Sequence, residues 1–368
     1  VKISRIARFT AIGVAASMLL VGCAANEPTT PPTTTDPTTP ALSGELSGVG
    51  ASAQEVAITA WTTGIQTAHQ GVTINYDPQG SGTGRTSFMN GAADFAGSDR
   101  AFRLSEIEAG PFMLCEAGSN IIQLPTYISP FAVVFNLEGI DSLNLDAATI
   151  SRIFMGEITN WNDPAIAAHN AGVSLPNQAI VAVHRSDNSG TTENFTDYLS
   201  KASGGVWKFD PHGDWPMEGG EAANGTSGVI SAVEGANGGI GYADASRITD
   251  KLGTVAVKVG DVYVPFSPEA AAKTIDVSPF ETGRTAGDLA VAIDRNTTAA
   301  GAYPLVLISY LIACENYVAS YDKVDLVKAF LTHAASVEGQ AASAAAAGSA
   351  PIGDAVRTRI MAAIDSIN

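Results

Sequence analysis

Ala179–Val183 is a short apolar run that passes directly into His184-Arg185-Ser186-Asp187-Asn188-Ser189-Gly190-Thr191, after which Phe195, Tyr198 and Leu199 recur at i, i+3 and i+4. The first run reads as a buried strand and the later spacing as an amphipathic helix. A strand tied to a helix by one polar loop cannot bury its own apolar faces, so it needs a sheet covered by helices. That requirement confines the chain to the α/β class. Other segments repeat the unit. Thr73–Tyr76 reads as a short strand before the Gly-rich turn Gln79-Gly80-Ser81-Gly82-Thr83-Gly84, and Ala92–Gly97 as another that stops at Ser98-Asp99. Pro130–Asn136 has the nearly unbroken apolar character of a strand buried on both faces. Ala53, Val56, Ala57, Ala60 and Trp61 mark a helix face, and Ser52-Ala53-Gln54-Glu55 reads as a capping box with Ser52 as N-cap and Glu55 at N3. The Ala-rich stretch 335–350 reads as a surface helix or a loose loop, with a last helix over about 351–367.

At 368 residues the chain is long enough for two domains, or one domain with two lobes. Its formal net charge is −17, and the basic residues Lys2, Arg5 and Arg8 fall in a segment expected to be removed. Nucleic acid is excluded as a partner, because binding its backbone needs clustered Lys and Arg. An anionic ligand would have to be attracted locally, by aimed dipoles. Phe9–Gly22 is a mostly apolar run too short for a membrane span, and it ends in Leu20-Val21-Gly22-Cys23. Residues 1–22 therefore read as a lipoprotein signal, with Cys23 as the lipidated residue on the extracytoplasmic face of the cell membrane. Residues 23–43 read as a tether, since Glu27–Pro40 holds five Pro and seven Thr and favours extended geometry. Cys115 and Cys314 are either one disulfide or two buried thiols. The five histidines lack zinc-site spacing, and no metal or other cofactor is expected.

Four polar runs share one chemistry. Ser52 opens a helix, Ser81 sits in a Gly-rich turn, Asp99 follows a strand, and Ser189-Gly190-Thr191 opens a second helix. Helix N-termini leave N–H groups unsatisfied and carry partial positive charge, so they bind oxyanions. Hydroxyls add donors, glycine admits close approach of the main chain, and Arg185 supplies a planar cationic fork. Asp187 is placed to brace that fork. The runs form a site only if they converge in space.

Taken in order, these segments resemble the phosphate-specific substrate-binding lipoproteins of bacterial ABC importers. Gly50-Ala51-Ser52, the 79–84 turn, Asp94-Phe95-Ala96-Gly97-Ser98-Asp99, Gly156–Pro164, His184–Thr192 and Gly238-Gly239-Ile240-Gly241-Tyr242 carry the likeness, which runs from about Gly48 to the C-terminus. It implies a two-lobed periplasmic-binding-protein fold (type II-like) with the ligand in the interlobe cleft. Residues 44–130 and 246–368 would make the first lobe and 131–245 the second. It implies inorganic phosphate bound by Ser52, Ser81, Asp99, Arg185, Ser189, Gly190 and Thr191, with the backbone N–H of Ala53. At Ala53-Gln54 the chain departs from the Phe-Pro that the family often carries. The implied protein is a monomer and not an enzyme, and it delivers phosphate to a permease and ATPase. Asp99 is the residue that would select phosphate. Near neutral pH phosphate still carries a proton to donate and sulfate carries none. Two other readings are a phosphate sensor or adhesin on the same fold, and a hydrolase using Ser189 with His184 as base.

Overall fold

In the computed structural model, which describes residues 42–368, the strand–loop–helix unit recurs along the chain. Strands β1 (Ser43–Gly50), β2 (Gly71–Asp77) and β3 (Phe95–Ser98) alternate with helices α1 (Glu55–Ala68) and α2 (Ser81–Met89), and α3 (Leu104–Ala109) follows. The middle of the chain forms β4 (Ile121–Phe135), β5 (Ser142–Leu145), α4 (Ala147–Phe154), α5 (Pro164–His169), β6 (Val181–Arg185), α6 (Gly190–Ala202), β7 (Glu221–Ala223), α7 (Gly225–Gly235) and β8 (Gly239–Asp244). The last third contributes β9 (Gly253–Val259), β10 (Val262–Val264), α8 (Pro268–Asp276), β11 (Val306–Cys314), α9 (Val324–Ala335), α10 (Val337–Ala347) and α11 (Asp354–Asp365). The expected signal segment, Cys23 and the tether up to residue 41 lie outside the described residues.

Strand β4 runs through both halves. All fifteen residues of β4 are buried. Its first part, Ile121–Pro130, pairs antiparallel with β11, and its last part, Phe131–Phe135, pairs antiparallel with β8. The sheet therefore runs β2-β1-β3-β11-β4-β8-β6-β7. The β1–β2, β1–β3, β6–β7 and β6–β8 pairs are parallel, as strand–helix–strand units require. On one side Trp61, Phe88, Phe95, Ile122, Leu311, Phe330 and Ile360 share a core. On the other, Phe131, Phe135, Trp161, Phe195, Tyr242 and Val255 share a second. One boundary falls inside β4, between Ile128 and Phe131, and the chain crosses back near the start of β11, where Leu305 and Leu307 lie in the second core and Ile308 in the first. Strands β9 and β10, beyond the return expected near 246, attach to the second half through β5 and the end of β4.

Several local readings change. Ser52 is not a capping residue. Helix α1 starts at Glu55 without a side-chain cap, and Ser52 Oγ bonds instead to Thr226. Ser81 lies in the first turn of α2, so Gly82-Thr83-Gly84 is helical and not a turn. The Ala-rich segment is helix α10, with Gln340 and Ser343 buried, and Trp61 Nε1 donates to Gly339 O at 2.9 Å. Cys115 and Cys314, which the sequence leaves open, are bonded across 199 residues.

Candidate functional site

The cation is built first. Arg185 ends β6 and is buried, where an unpaired guanidinium would be strongly disfavoured. Its Nε donates to Asp187 Oδ1 at 2.7 Å, and a second donor of the fork reaches Asp187 Oδ2. Burial would raise the Asp187 carboxyl. The Arg185 hydrogen bonds and charge, with an N–H from Gly225 at 3.1 Å, outweigh that and hold it below the usual range. The pair is thus an ionised brace that fixes the plane of the fork. Ser189 then caps α6, accepting from Thr192 N–H at 3.2 Å. Gly190 and Thr191 occupy the first turn, where N–H groups have no acceptor within the helix.

The second wall comes from the other lobe and packs directly on this turn. Asp99 follows β3, and its N–H donates to Ser81 Oγ at 3.0 Å. Thr191 Oγ1 donates to Asp99 Oδ2 at 3.1 Å, and Asn194 Nδ2 donates to Asp99 O at 2.7 Å. A Cβ on Gly190 would lie 2.4 Å from Ser81 Oγ and 2.6 Å from Asp99 Cβ, so only glycine fits between them. Gly82 N–H donates to Asn188 O at 3.1 Å, which seats the start of α2 on the 185–191 loop. Burial pushes the Asp99 carboxyl upward, opposed by a hydrogen bond from Ser309 Oγ at 2.8 Å, by Arg185, by Thr191 and by Arg85.

Ser52 closes the circuit. Its Oγ accepts from Thr226 N–H and contacts Thr226 Oγ1, both at 3.0 Å. Ala53 is fully buried among the second lobe's core residues although Ser52 follows a first-lobe strand. These contacts link Ser52, Ser81, Asp99, Arg185, Asp187, Ser189, Gly190 and Thr191 in one chain of neighbours, and Ala53 is buried next to Ser52. The structure adds five that sequence reading missed. Thr226 holds Ser52. Ser309 on β11 holds Asp99. Arg85 is a second buried cation, its pKa pushed down to about 10 by burial, and it donates to Ser98 Oγ at 2.9 Å. Tyr242 hydroxyl contacts Thr192 Oγ1 at 2.7 Å, and Asn194 reaches across the lobes. Only Tyr242 carried a local signal, as the end of the Gly238–Tyr242 segment. Thr226, Ser309 and Arg85 act on residues distant in sequence, and Asn194 reaches Asp99 from 95 residues away.

A PBP superfamily domain profile matches residues 32–338. Phosphate-binding protein PstS 3 of Mycobacterium leprae (strain TN) is 34% identical over 325 residues, covering 88% of this chain and 86% of that protein. The chain belongs to the PstS family of phosphate-binding proteins. Phosphate-binding protein PstS 2 of Mycobacterium tuberculosis (strain ATCC 25618 / H37Rv) is 35% identical over 277 residues, 74% of each chain. A solved phosphate-binding protein from Stenotrophomonas maltophilia shares the fold, with a TM-score of 0.66, 22% identity and coverage of 87% of this chain and 93% of that one. The architecture is the two-lobed periplasmic-binding-protein fold.

Within that family the geometry does not favour the hydrolase reading. His184 directs Nδ1 to Arg185 O at 3.0 Å and Nε2 to Gly219 O at 3.1 Å, and its ring stacks on Trp215. Ser189 Oγ is the α6 cap. The imidazole therefore has neither nitrogen free to serve Ser189 as a base. Among the described residues no helix is long and apolar enough to cross a membrane.

Proposed function

We propose that this PstS-family chain binds inorganic phosphate between its lobes and hands it to the permease of an ABC importer. The observation that carries the reading is a carboxylate standing among donors. Asp99 is buried beside the first turn of α6 and within the field of Arg185. Such an arrangement is repulsive to a fully deprotonated anion and favourable to one that can donate a proton back. Phosphate meets that condition near neutral pH and sulfate does not. Ser52, Ser81, Ser189, Gly190, Thr191 and the Ala53 N–H are the neutral donors, and Arg185 is the charged one. No net basic field is needed, which suits a chain of charge −17.

We take the lobes to differ at one boundary from the expected 44–130 plus 246–368 and 131–245. Residues 44–130 and the C-terminal part form the first lobe. The second runs from 131 through β10, because β9 and β10 pair with β5 and β4. Closure by rotation about β4 would trap the ligand. The tether and a lipid on Cys23 would keep a monomeric receptor at the extracytoplasmic face of the cell membrane. Mass spectrometry of the membrane fraction should find Cys23 acylated, and an unmodified thiol there would remove the anchor from this account. Titration calorimetry with phosphate, arsenate and sulfate tests the central claim. Phosphate and arsenate should bind and sulfate should not; silence with phosphate, or equal binding of sulfate, refutes it.

A further inference from the structure

Thr226 belongs to none of the segments that carried the sequence resemblance, yet it makes two contacts to one hydroxyl of the site. It lies in the first turn of α7, buried, and α7 packs by Val229, Ile230 and Val233 against Ala132 and Val134 of β4 and Val183 of β6. Its N–H donates to Ser52 Oγ at 3.0 Å, and its Oγ1 lies 3.0 Å from the same atom. Ser52 itself follows β1 in the other lobe. The preceding residue, Gly225, donates its N–H to Asp187 Oδ1 at 3.1 Å. One helix start therefore touches both ends of the site: the hydroxyl at Ser52 and the brace of Arg185.

A serine hydroxyl has one proton and two lone pairs. The Thr226 N–H occupies one lone pair of Ser52. The hydroxyl–hydroxyl contact then has two senses. If Ser52 donates to Thr226, its proton is used there and its remaining lone pair faces the anion, which is repulsive. If Thr226 donates to Ser52, both lone pairs are filled and the only proton of Ser52 is left for the anion. A bound oxyanion selects the second sense, because only that sense places a donor against it. The contact spans the two lobes, so it forms as they close. Closure and the conversion of Ser52 into a donor are then one event.

We infer that Thr226 is a positioning residue that makes Ser52 an obligate donor to the bound anion. The inference rests on the phosphate reading above. The test is a double-mutant cycle by titration calorimetry with inorganic phosphate on the wild-type chain, T226V, T226S, S52A and T226V/S52A. T226V keeps the backbone N–H and the volume but removes the hydroxyl, and phosphate binding should weaken about 10-fold. T226S should return to within about twofold of wild type, since it restores the hydroxyl. In the S52A background T226V should change nothing further, because the group it acts through is gone. Should T226V not fold, T226A lacks the same hydroxyl and must give the same pattern. Phosphate failing to bind the wild-type chain would overturn the phosphate reading itself, and this inference with it. Wild-type binding with an unaltered T226V, or a T226V loss that adds in full to that of S52A, would overturn the inference alone.

Discussion

Glu193→Gln isolates the electrostatic contribution to lobe closure. Glu193 sits in the first turn of α6, and its carboxylate accepts from Arg100 Nε at 2.7 Å and from Arg103 at 2.6 Å. Both arginines follow β3, so the contacts span the two lobes. The Arg103 side chain is 52% exposed, and that bond is screened to at most about 1 kcal/mol. Arg100 and Glu193 are only 16% and 10% exposed, which places their charge-assisted bond at about 1.5–3 kcal/mol. Glutamine keeps one acceptor oxygen, and Arg100 remains paired with Glu106 at 2.6 Å, so no charge is orphaned. The net loss is therefore near the lower bound, about 1.5 kcal/mol, or about tenfold. It falls on the closed form alone, because the partners separate when the lobes open. Phosphate should leave about tenfold faster while its association rate stays within about twofold. Stopped-flow release at low and high salt reads this directly, and the difference between variant and wild type should shrink with salt. A release rate unchanged at low salt, or a loss residing wholly in association, would refute the reasoning.

Asp99→Asn replaces an acceptor by a donor at the point where the ligand proton is received. Phosphate affinity should fall about 10- to 100-fold and sulfate binding become measurable, by calorimetry; an intact preference would contradict the selectivity argument. Burial pushes the Asp244 carboxyl up to about 6, although Tyr127 hydroxyl donates to it at 3.0 Å. An unfolded carboxyl titrates near 3.9, so the folded state holds the proton more tightly in between, and stability falls as pH rises from about 4 to about 6. Asp244→Asn should remove that decline. Its stability relative to wild type should rise by roughly 2 kcal/mol between pH 4 and pH 7 in denaturant titrations, and a pH-independent difference would argue against it. The Cys115–Cys314 bond closes a loop of 199 residues, and in the chain-entropy picture removing it costs on the order of 5 kcal/mol. The double Cys→Ser variant should melt on the order of 10 °C lower, and a midpoint within about 2 °C of wild type would contradict this.

Much of the site was legible because its parts are local. The passage from Val183 through Arg185 to Thr191 is a strand, a loop and a helix start in consecutive residues, and it forms them with Ser189 as cap. Asp187 braces Arg185 from two residues away, well within the reach of sequence reading. Local reasoning failed where a residue's partner lies elsewhere in the chain. Ser52 followed by Glu55 has the spacing of a capping box, but a hydroxyl takes the stronger offer, and here that is Thr226, brought by the other lobe. Ser81 reads as a turn residue because glycines surround it. Packing against Asn188 lets those glycines begin a helix instead. Strands β1 and β11 escape the sequence reading: β1 has glycine or serine at five of its eight positions, and only parallel pairing with β2 and β3 gives it order.

What the sequence by itself determined is the α/β class and, through ordered motifs, the kind of receptor this is; it also marked the Arg185–Thr191 loop as a candidate oxyanion site. The class and the candidate site follow from periodicity, capping and charge, which act over a few residues, and the receptor type from the family resemblance. Only the tertiary structure decided that Ser52, Ser81 and Asp99 face that loop from the opposite lobe, that Thr226 and Ser309 hold them, and that Cys115 meets Cys314. Those contacts join residues 18 to 210 positions apart. They exist because the chain crosses between the two cores, in β4 and again near the start of β11, and sets the two halves face to face.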